Sequence, residues 1–192
     1  MVPHVNSNIC KSSYHLRNIS RIRKYISFKT TETLVHAFIT SKLDNCNSLL
    51  FGLPKNLLDK LQSVQNAAAR LITLSHKHDH ITPILLNLHW LPVAQRVKFK
   101  ILLLTFKAIN DVAPIYLKEL LSKYQPSRTL RSKSKSLLSP KPYNLKSYGH
   151  RSFSVAAPEL WNSLPLHIKN ATNLLNFKSE LKSYLFKLAF NL

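Results

Sequence analysis

Lys55-Asn56-Leu57-Leu58-Asp59-Lys60-Leu61-Gln62-Ser63-Val64-Gln65-Asn66-Ala67-Ala68-Ala69-Arg70-Leu71-Ile72-Thr73-Leu74 is the stretch that decides the fold. Leu57, Leu58, Leu61, Val64, Ala68, Leu71 and Ile72 recur at three- and four-residue steps, which lays them along one face of an α-helix. Polar residues fill most other positions, and neither Gly nor Pro interrupts the run. The three consecutive alanines allow a second helix to approach closely. The spacing predicts a helix over 55–74 that must bury its apolar face against partners.

The same pattern repeats outward. Leu34, Val35, Phe38, Ile39, Leu43, Cys46, Leu49 and Leu50 form a stripe ahead of it, with Thr30 and Thr31 as cap candidates and Glu32 in the first turn. Gly52 and Pro54 stop that helix. Cys46 on this stripe reads as a small buried apolar residue. Earlier still, Val5, Ile9, Leu16, Ile19, Ile22 and Ile26 predict a helix over 5–26. Downstream, Thr82-Pro83 opens a short helix over 84–88. Pro92 opens another to about Asn110, and Pro114 a third that ends near Tyr124. Pro158 places the start of the next helix near Ala157, and Pro165 ends it. Asn173 caps a last helix striped by Leu174, Phe177, Leu181, Leu185 and Leu188. Strand alternation is weak, apart from possible short pieces in a Ser/Pro-rich stretch. The expected fold is all-α: a helical bundle over 1–124, a basic irregular insert over 125–152 and a C-terminal helical pair over 153–192. Phe38, Leu43, Leu61, Leu71, Trp90, Ile101 and Leu104 are the expected core of the first segment. Trp90 and Trp161 read as wedges at helix corners, with base stacking as the alternative.

Composition narrows the function. With 28 Lys and Arg against 8 Asp and Glu, the chain of 192 residues carries a formal net charge of +20. Self-repulsion of that size works against folding, so it asks for an anionic partner: nucleic acid first, then an anionic membrane or an acidic protein. Gly52 and Gly149, the 2 glycines, stand far apart, which excludes phosphate-cradling and dinucleotide-binding loops. The longest aliphatic run, Ile101-Leu102-Leu103-Leu104, is far short of the roughly 20 residues of a membrane span. Lys11, Arg17, Arg21, Arg23 and Lys24 break every candidate signal core. Cys10 and Cys46 make no disulfide framework, which points to a reducing compartment, nuclear or cytoplasmic and not secreted. No membrane partner and no small-molecule substrate is expected.

Local catalytic motifs are missing. Hydrolases and polymerases need converging carboxylates, and Asp44, Asp59, Asp79 and Asp111 stand singly, with no paired Asp-Asp. There is no GxSxG elbow. His76, His78 and His80 alternate as Zn²⁺ ligands on an extended segment would; they read equally as a solvated loop. No metal and no cofactor is assigned. Between Glu119 and Glu159 there is no acidic residue, while Lys123, Arg128, Arg131, Lys133, Lys135, Lys141, Lys146 and Arg151 supply cations. Such a tract can follow a phosphate backbone, and Tyr143 and Tyr148 can stack on bases. A solvated linker is the alternative. Arg17, Arg21 and Lys24 share one face of the first predicted helix and form a second, competing set of candidate nucleic-acid contacts; a solvated face is the bland reading.

Five ordered strings carry a resemblance: His15-Leu16-Arg17-Asn18-Ile19 with Ile22-Arg23-Lys24-Tyr25; Leu43-Asp44-Asn45-Cys46-Asn47-Ser48-Leu49-Leu50 with Gly52-Leu53-Pro54; Leu61-Gln62-Ser63-Val64-Gln65-Asn66-Ala67-Ala68-Ala69-Arg70-Leu71; His80-Ile81-Thr82-Pro83 with Leu88-His89-Trp90-Leu91-Pro92; and Tyr148-Gly149, Arg151, Phe153-Ser154 and Ala157-Pro158 with Leu160-Trp161-Asn162-Ser163-Leu164-Pro165. Together, over nearly the whole chain, they resemble the C-terminal region of reverse transcriptases from LINE-type (non-LTR) retrotransposons of the jockey and chicken-repeat kind. Asn45 departs from the Tyr expected in that family. In the family, polymerase chemistry sits upstream in a palm with a Tyr-x-Asp-Asp signature, which this chain lacks. The resemblance implies a helical thumb and post-palm region that grips the RNA or DNA backbone of a template–primer without catalysing. It also implies a truncated element copy, which need have no selected function. The rival expectation is a helical protein-interaction or structural module.

Overall fold

The computed structural model describes residues 1–125, 136–145 and 148–192. Helix accounts for 68% of the structure and strand for 2%, so the fold is all-α. Helix α1 (Val2–Ile22) ends in a 3₁₀ turn, Arg23–Tyr25. Helix α2 (Phe28–Val35) passes through a π-helical turn, His36–Thr40, into α3 (Ser41–Asp44), and a 3₁₀ turn, Asn47–Leu50, follows. Then come α4 (Lys55–Thr73), α5 (Ile81–Asn87), α6 (Val93–Ile109) and α7 (Ile115–Lys118). Strand β1 (Ser122–Lys123) pairs antiparallel with β2 (Leu138–Ser139), Ser122 opposite Ser139 and Lys123 opposite Leu138. Helices α8 (Phe153–Asn162), α9 (Leu166–Lys169) and α10 (Leu174–Phe190) complete the chain.

These elements form two compact units, Met1–Arg96 with Leu188–Leu192, and Val97–Lys187. The boundary between the units falls within α6.

In the first unit α1 packs against α4, and Val5, Ile19, Val35, Ile39, Leu43, Leu61, Ala69, Ile72 and Trp90 are buried. Polar side chains tie its corners. Arg23, buried, donates from Nε to Leu71 O (3.0 Å), from Nη2 to Ile72 O (2.9 Å) and from Nη1 to Ile26 O (3.0 Å). Leu71 and Ile72 lie in the last turn of α4, whose carbonyls lack intrahelical donors and carry the negative end of the helix dipole. Gln65 Nε2 donates to Leu91 O (2.8 Å), and Gln62 Oε1 accepts from Val93 N (2.8 Å), at the first residue of α6. Arg96 holds both carboxylate oxygens of Asp44, a fork-to-fork pair, and Asn47 Nδ2 donates to the same carboxylate.

The second unit is centred on aromatic rings. Phe106 stacks on Phe177 with centroids 4.1 Å apart and planes 16° apart, and Trp161 lies 6.0 Å from Phe177. Phe177, Leu181 and Leu185 are the buried face of α10. Asn173 Oδ1 accepts from Asn176 N, the cap expected there.

Several expectations need correction. The second helix does not reach Leu50: Asn45 is extended, Cys46 is left-handed with φ 54°, and Cys46 is exposed rather than buried. Asp44, engaged by Arg96 and Asn47, ends the helix there. Ser27, not Thr30 or Thr31, caps α2, its Oγ accepting from Thr30 N, and Thr31 is buried. The buried row is Thr31, Val35, Ile39 and Leu43, a strict four-residue step. A wider turn over 36–40 keeps that row inward, and Phe38 falls outside it at 43% exposure. Leu71 and Leu104 are half-buried, while Leu43, Leu61, Trp90 and Ile101 are buried as expected. Helix α1 begins and ends earlier than 5–26, and α5 begins at Ile81 because Pro83 falls in the first turn, where no N–H is needed. The helix after Pro114 stops at Lys118, since Ser122 and Lys123 are paired in β1. Helix α8 starts at Phe153, not near Ala157, with Pro158 inside it. Pro158 cannot donate to Ser154 O, and Lys141 N takes that carbonyl instead (3.4 Å).

Candidate nucleic-acid interface

Arg128, Arg131, Lys133, Lys135 and Lys146 lie outside the described residues. Their neighbours show how the basic tract is anchored. Tyr124 N donates to Leu137 O (3.0 Å), extending the β1–β2 pair into a short joined base. Helix α8 clasps this base. Trp161 Nε1 donates to Ser136 O (3.0 Å), and the Asn162 amide both donates to Leu138 O (2.8 Å) and accepts from Leu138 N (3.0 Å). Asn162 thus mimics a third strand with its side chain.

The return of the tract is also built against α8. Lys141 is tied there by its backbone, and its Nζ donates to Glu119 O (3.3 Å). Residues 148–152 turn onto the N-terminus of α8, with Ser152 Oγ donating to Gly149 O (2.7 Å). A Cβ on Gly149 would lie 2.6 Å from Tyr143 Cβ and 2.7 Å from Leu145 O, so only glycine fits. That close approach sets Tyr143 edge-on to His150, with centroids 6.1 Å apart. His150 Nε2 lies 3.3 Å from Glu159. The Arg151 guanidinium sits 5.2 Å from the Tyr148 ring centroid, and Tyr148 is 72% exposed. Tyr148 and Arg151, three residues apart, form a cation–π pair at the surface; composition placed both in the tract, but only the turn brings them together.

The competing set lies on the first unit. Arg17, Arg21 and Lys24 are all exposed along α1 and its 3₁₀ extension, and Lys24 Nζ stands 4.8 Å from the Tyr25 centroid. Arg23, in their midst, faces inward. The structure brings Arg17, Arg21 and Lys24 onto one element and Lys141 and Arg151 onto the start of α8.

The carboxylates compensate little of this charge. Asp44 pairs with Arg96 and Asp111 with Lys118 (2.5 Å), while Glu32 and Glu159 face His36 and His150. Lys118 holds the exposed Asp111 carboxyl below its ordinary range, chiefly through their hydrogen bond. His76, His78 and His80 are exposed around a turn in which Asp79 accepts from His76 N (2.7 Å). Among the described residues no group of three or more His, Cys, Asp or Glu is placed to hold a metal ion. No helix of the described residues is long and apolar enough to cross a membrane. Trp90 and Trp161 are 6% and 2% exposed, so neither offers a face to a base.

Compared with known protein families, curated proteins and solved structures, the chain matches none of them.

Proposed function

We propose that this chain is a non-catalytic nucleic-acid-binding module, the thumb and post-palm part of a LINE-type non-LTR retrotransposon reverse transcriptase. One observation carries the binding reading: a net charge of +20, with Arg17, Arg21 and Lys24 exposed along α1 and its extension and Lys141 and Arg151 half-buried at the start of α8, while the Lys/Arg–carboxylate pairs among the described residues engage Arg96 and Lys118 instead. The family assignment rests on the five strings. Their residues supply much of the packing described above: Arg23, Asp44, Gln62, Gln65, Trp161 and Asn162 are ties between elements. The cations serve to hold a phosphate backbone, and the sequence has no paired Asp-Asp of the kind metal-assisted polymerisation uses.

The test is binding of a single-stranded oligonucleotide across a salt series. If five cations touch phosphates, log K falls against log salt with a slope of about −3.5. Neutralising Arg128, Arg131, Lys133 and Lys135 together flattens the slope by about 3 units if all four are contacts. Binding weakens alike for every sequence, because phosphate contacts carry no base information. Salt-independent or undetectable binding overturns the reading. The purified chain does not extend a primer with any nucleotide or divalent metal, and metal-dependent extension would refute the non-catalytic part.

A protein-interaction module is the second reading. Val112, Ile115 and Tyr116 are 64%, 74% and 65% exposed around α7, a run of apolar surface that a partner protein would cover.

A further inference from the structure

The geometry points to the outward face of α1 as a stacking platform for single-stranded nucleic acid, with Tyr14 and Tyr25 taking unpaired bases and Arg17 and Arg21 the phosphates between them. This rests on the nucleic-acid reading above and adds to it a particular surface and a preference for unpaired strands. Tyr14 is 57% exposed and Tyr25 77%. Tyr14 is braced at the surface: it meets His15 edge-on with centroids 5.5 Å apart, and His15 stacks on Phe38 at 5.0 Å and 21°. Phe38, displaced from the core row by the π turn, thus has a place as the outer end of a row of three rings. Tyr25 carries the Lys24 ammonium near its ring.

The spacing suits a strand. Arg17 and Arg21 follow Tyr14 by one and two turns on the same side of the helix, and both are exposed. Tyr14 and Tyr25 are about 17 Å apart along the axis. Neighbouring stacked bases are about 3.4 Å apart, so the two rings serve separate bases of one strand. A duplex keeps its base faces covered, whereas unpaired bases stack on aromatic side chains. Charge complementarity favours an anionic occupant. Nucleic acid fits better than a lipid surface because Val5 and Ile19 of α1 are buried in the unit's own core, whereas an interfacial helix needs its aliphatic face for the membrane.

The experiment uses the full chain, fluorescence anisotropy, a labelled thymidine homopolymer of about 20 nucleotides (longer than most single-module sites) and a duplex of equal length. Tyr14→Ala and Tyr25→Ala are each expected to weaken single-strand binding by about 5- to 150-fold. Duplex affinity and the salt slope stay at parent values, and Tyr14→Phe and Tyr25→Phe restore binding. Arg17→Gln with Arg21→Gln flattens the single-strand slope by about 1.4. Circular dichroism checks that each variant keeps its helix, and the Phe variants keep the test decisive if an Ala variant does not. Parent-like single-strand binding by both Ala variants, or an equal loss on duplex, overturns the platform while leaving the broader reading intact. A parent chain that binds phosphatidylserine vesicles through the same tyrosines and no oligonucleotide overturns both.

Discussion

The two compact units solve the same packing problem with different chemistry. The first surrounds an aliphatic core and fastens its corners with Arg23, Gln62, Gln65 and the Asp44–Arg96 pair, each reaching another segment. The second is organised by Trp161, Phe177 and Phe106, with the Asn162 amide as its main polar tie to another segment. The first unit turns sharply at Cys46, Leu74 and His89, all in the left-handed region. A corner exposes carbonyls and N–H groups that no helix satisfies, and a long amide or guanidinium can reach them. Ring stacking needs no such reach and suits the second unit, where Trp161 of α8 and Phe106 of α6 meet Phe177 of α10. Much of the distinctive sequence of this chain holds it together, and Arg17, Arg21 and Lys24 are cations that the packing leaves exposed.

The largest expected effects test the two cores. Trp161→Ala should cost about 3–5 kcal/mol and Leu61→Ala about 2–5 kcal/mol, read from urea unfolding. Hydrogen exchange should rise mainly within the mutated unit; an equal rise across both units would break the division. Next, Arg23→Met should cost about 2–3 kcal/mol, because buried carbonyls lose their donors. Arg21→Met, two residues away and exposed, should stay within about 0.5 kcal/mol. Equal losses would mean that Arg23 is not the tie described here.

Leu74 ends α4 in the left-handed conformation with its side chain 66% exposed. Leu74→Gly removes backbone strain at little cost in burial and should raise stability by up to about 1 kcal/mol, seen as a higher urea midpoint. The smallest effect concerns Asp111. Its folded pKa lies below the ordinary 3.8. The pair's stabilisation is therefore present above pH 3.8 and is lost as pH falls through the lowered value. Because the carboxyl is fully exposed, the effect on stability is slight. The check is carboxyl NMR of Asp111, whose titration should move up to the ordinary value in Lys118→Met.

Much of this was legible in the residues. The stripe over 55–74 became α4 within one residue, since 3.6-residue periodicity is a local property. The candidate cations Arg17, Arg21 and Lys24 are exposed as a polar face should be. Two of the misplaced parts depend on a contact with distant chain. Asp44 ends α3 through Arg96, 52 residues on, and β1 exists because Leu138 and Ser139 come back to it. Tyr14 offered no pattern of its own, because an exposed tyrosine on a polar face looks like any amphipathic filler.

The sequence by itself determined the all-α class and the excess of positive charge, because helical periodicity and charge count need no knowledge of the rest of the chain. Tertiary structure decided which arginine is buried and which is free, and whether an aromatic ring is core or surface. Arg23 and Arg21 are chemically identical. Only the carbonyls of Leu71 and Ile72, brought to Arg23 from 48 and 49 residues away, make one a tie and leave the other to water.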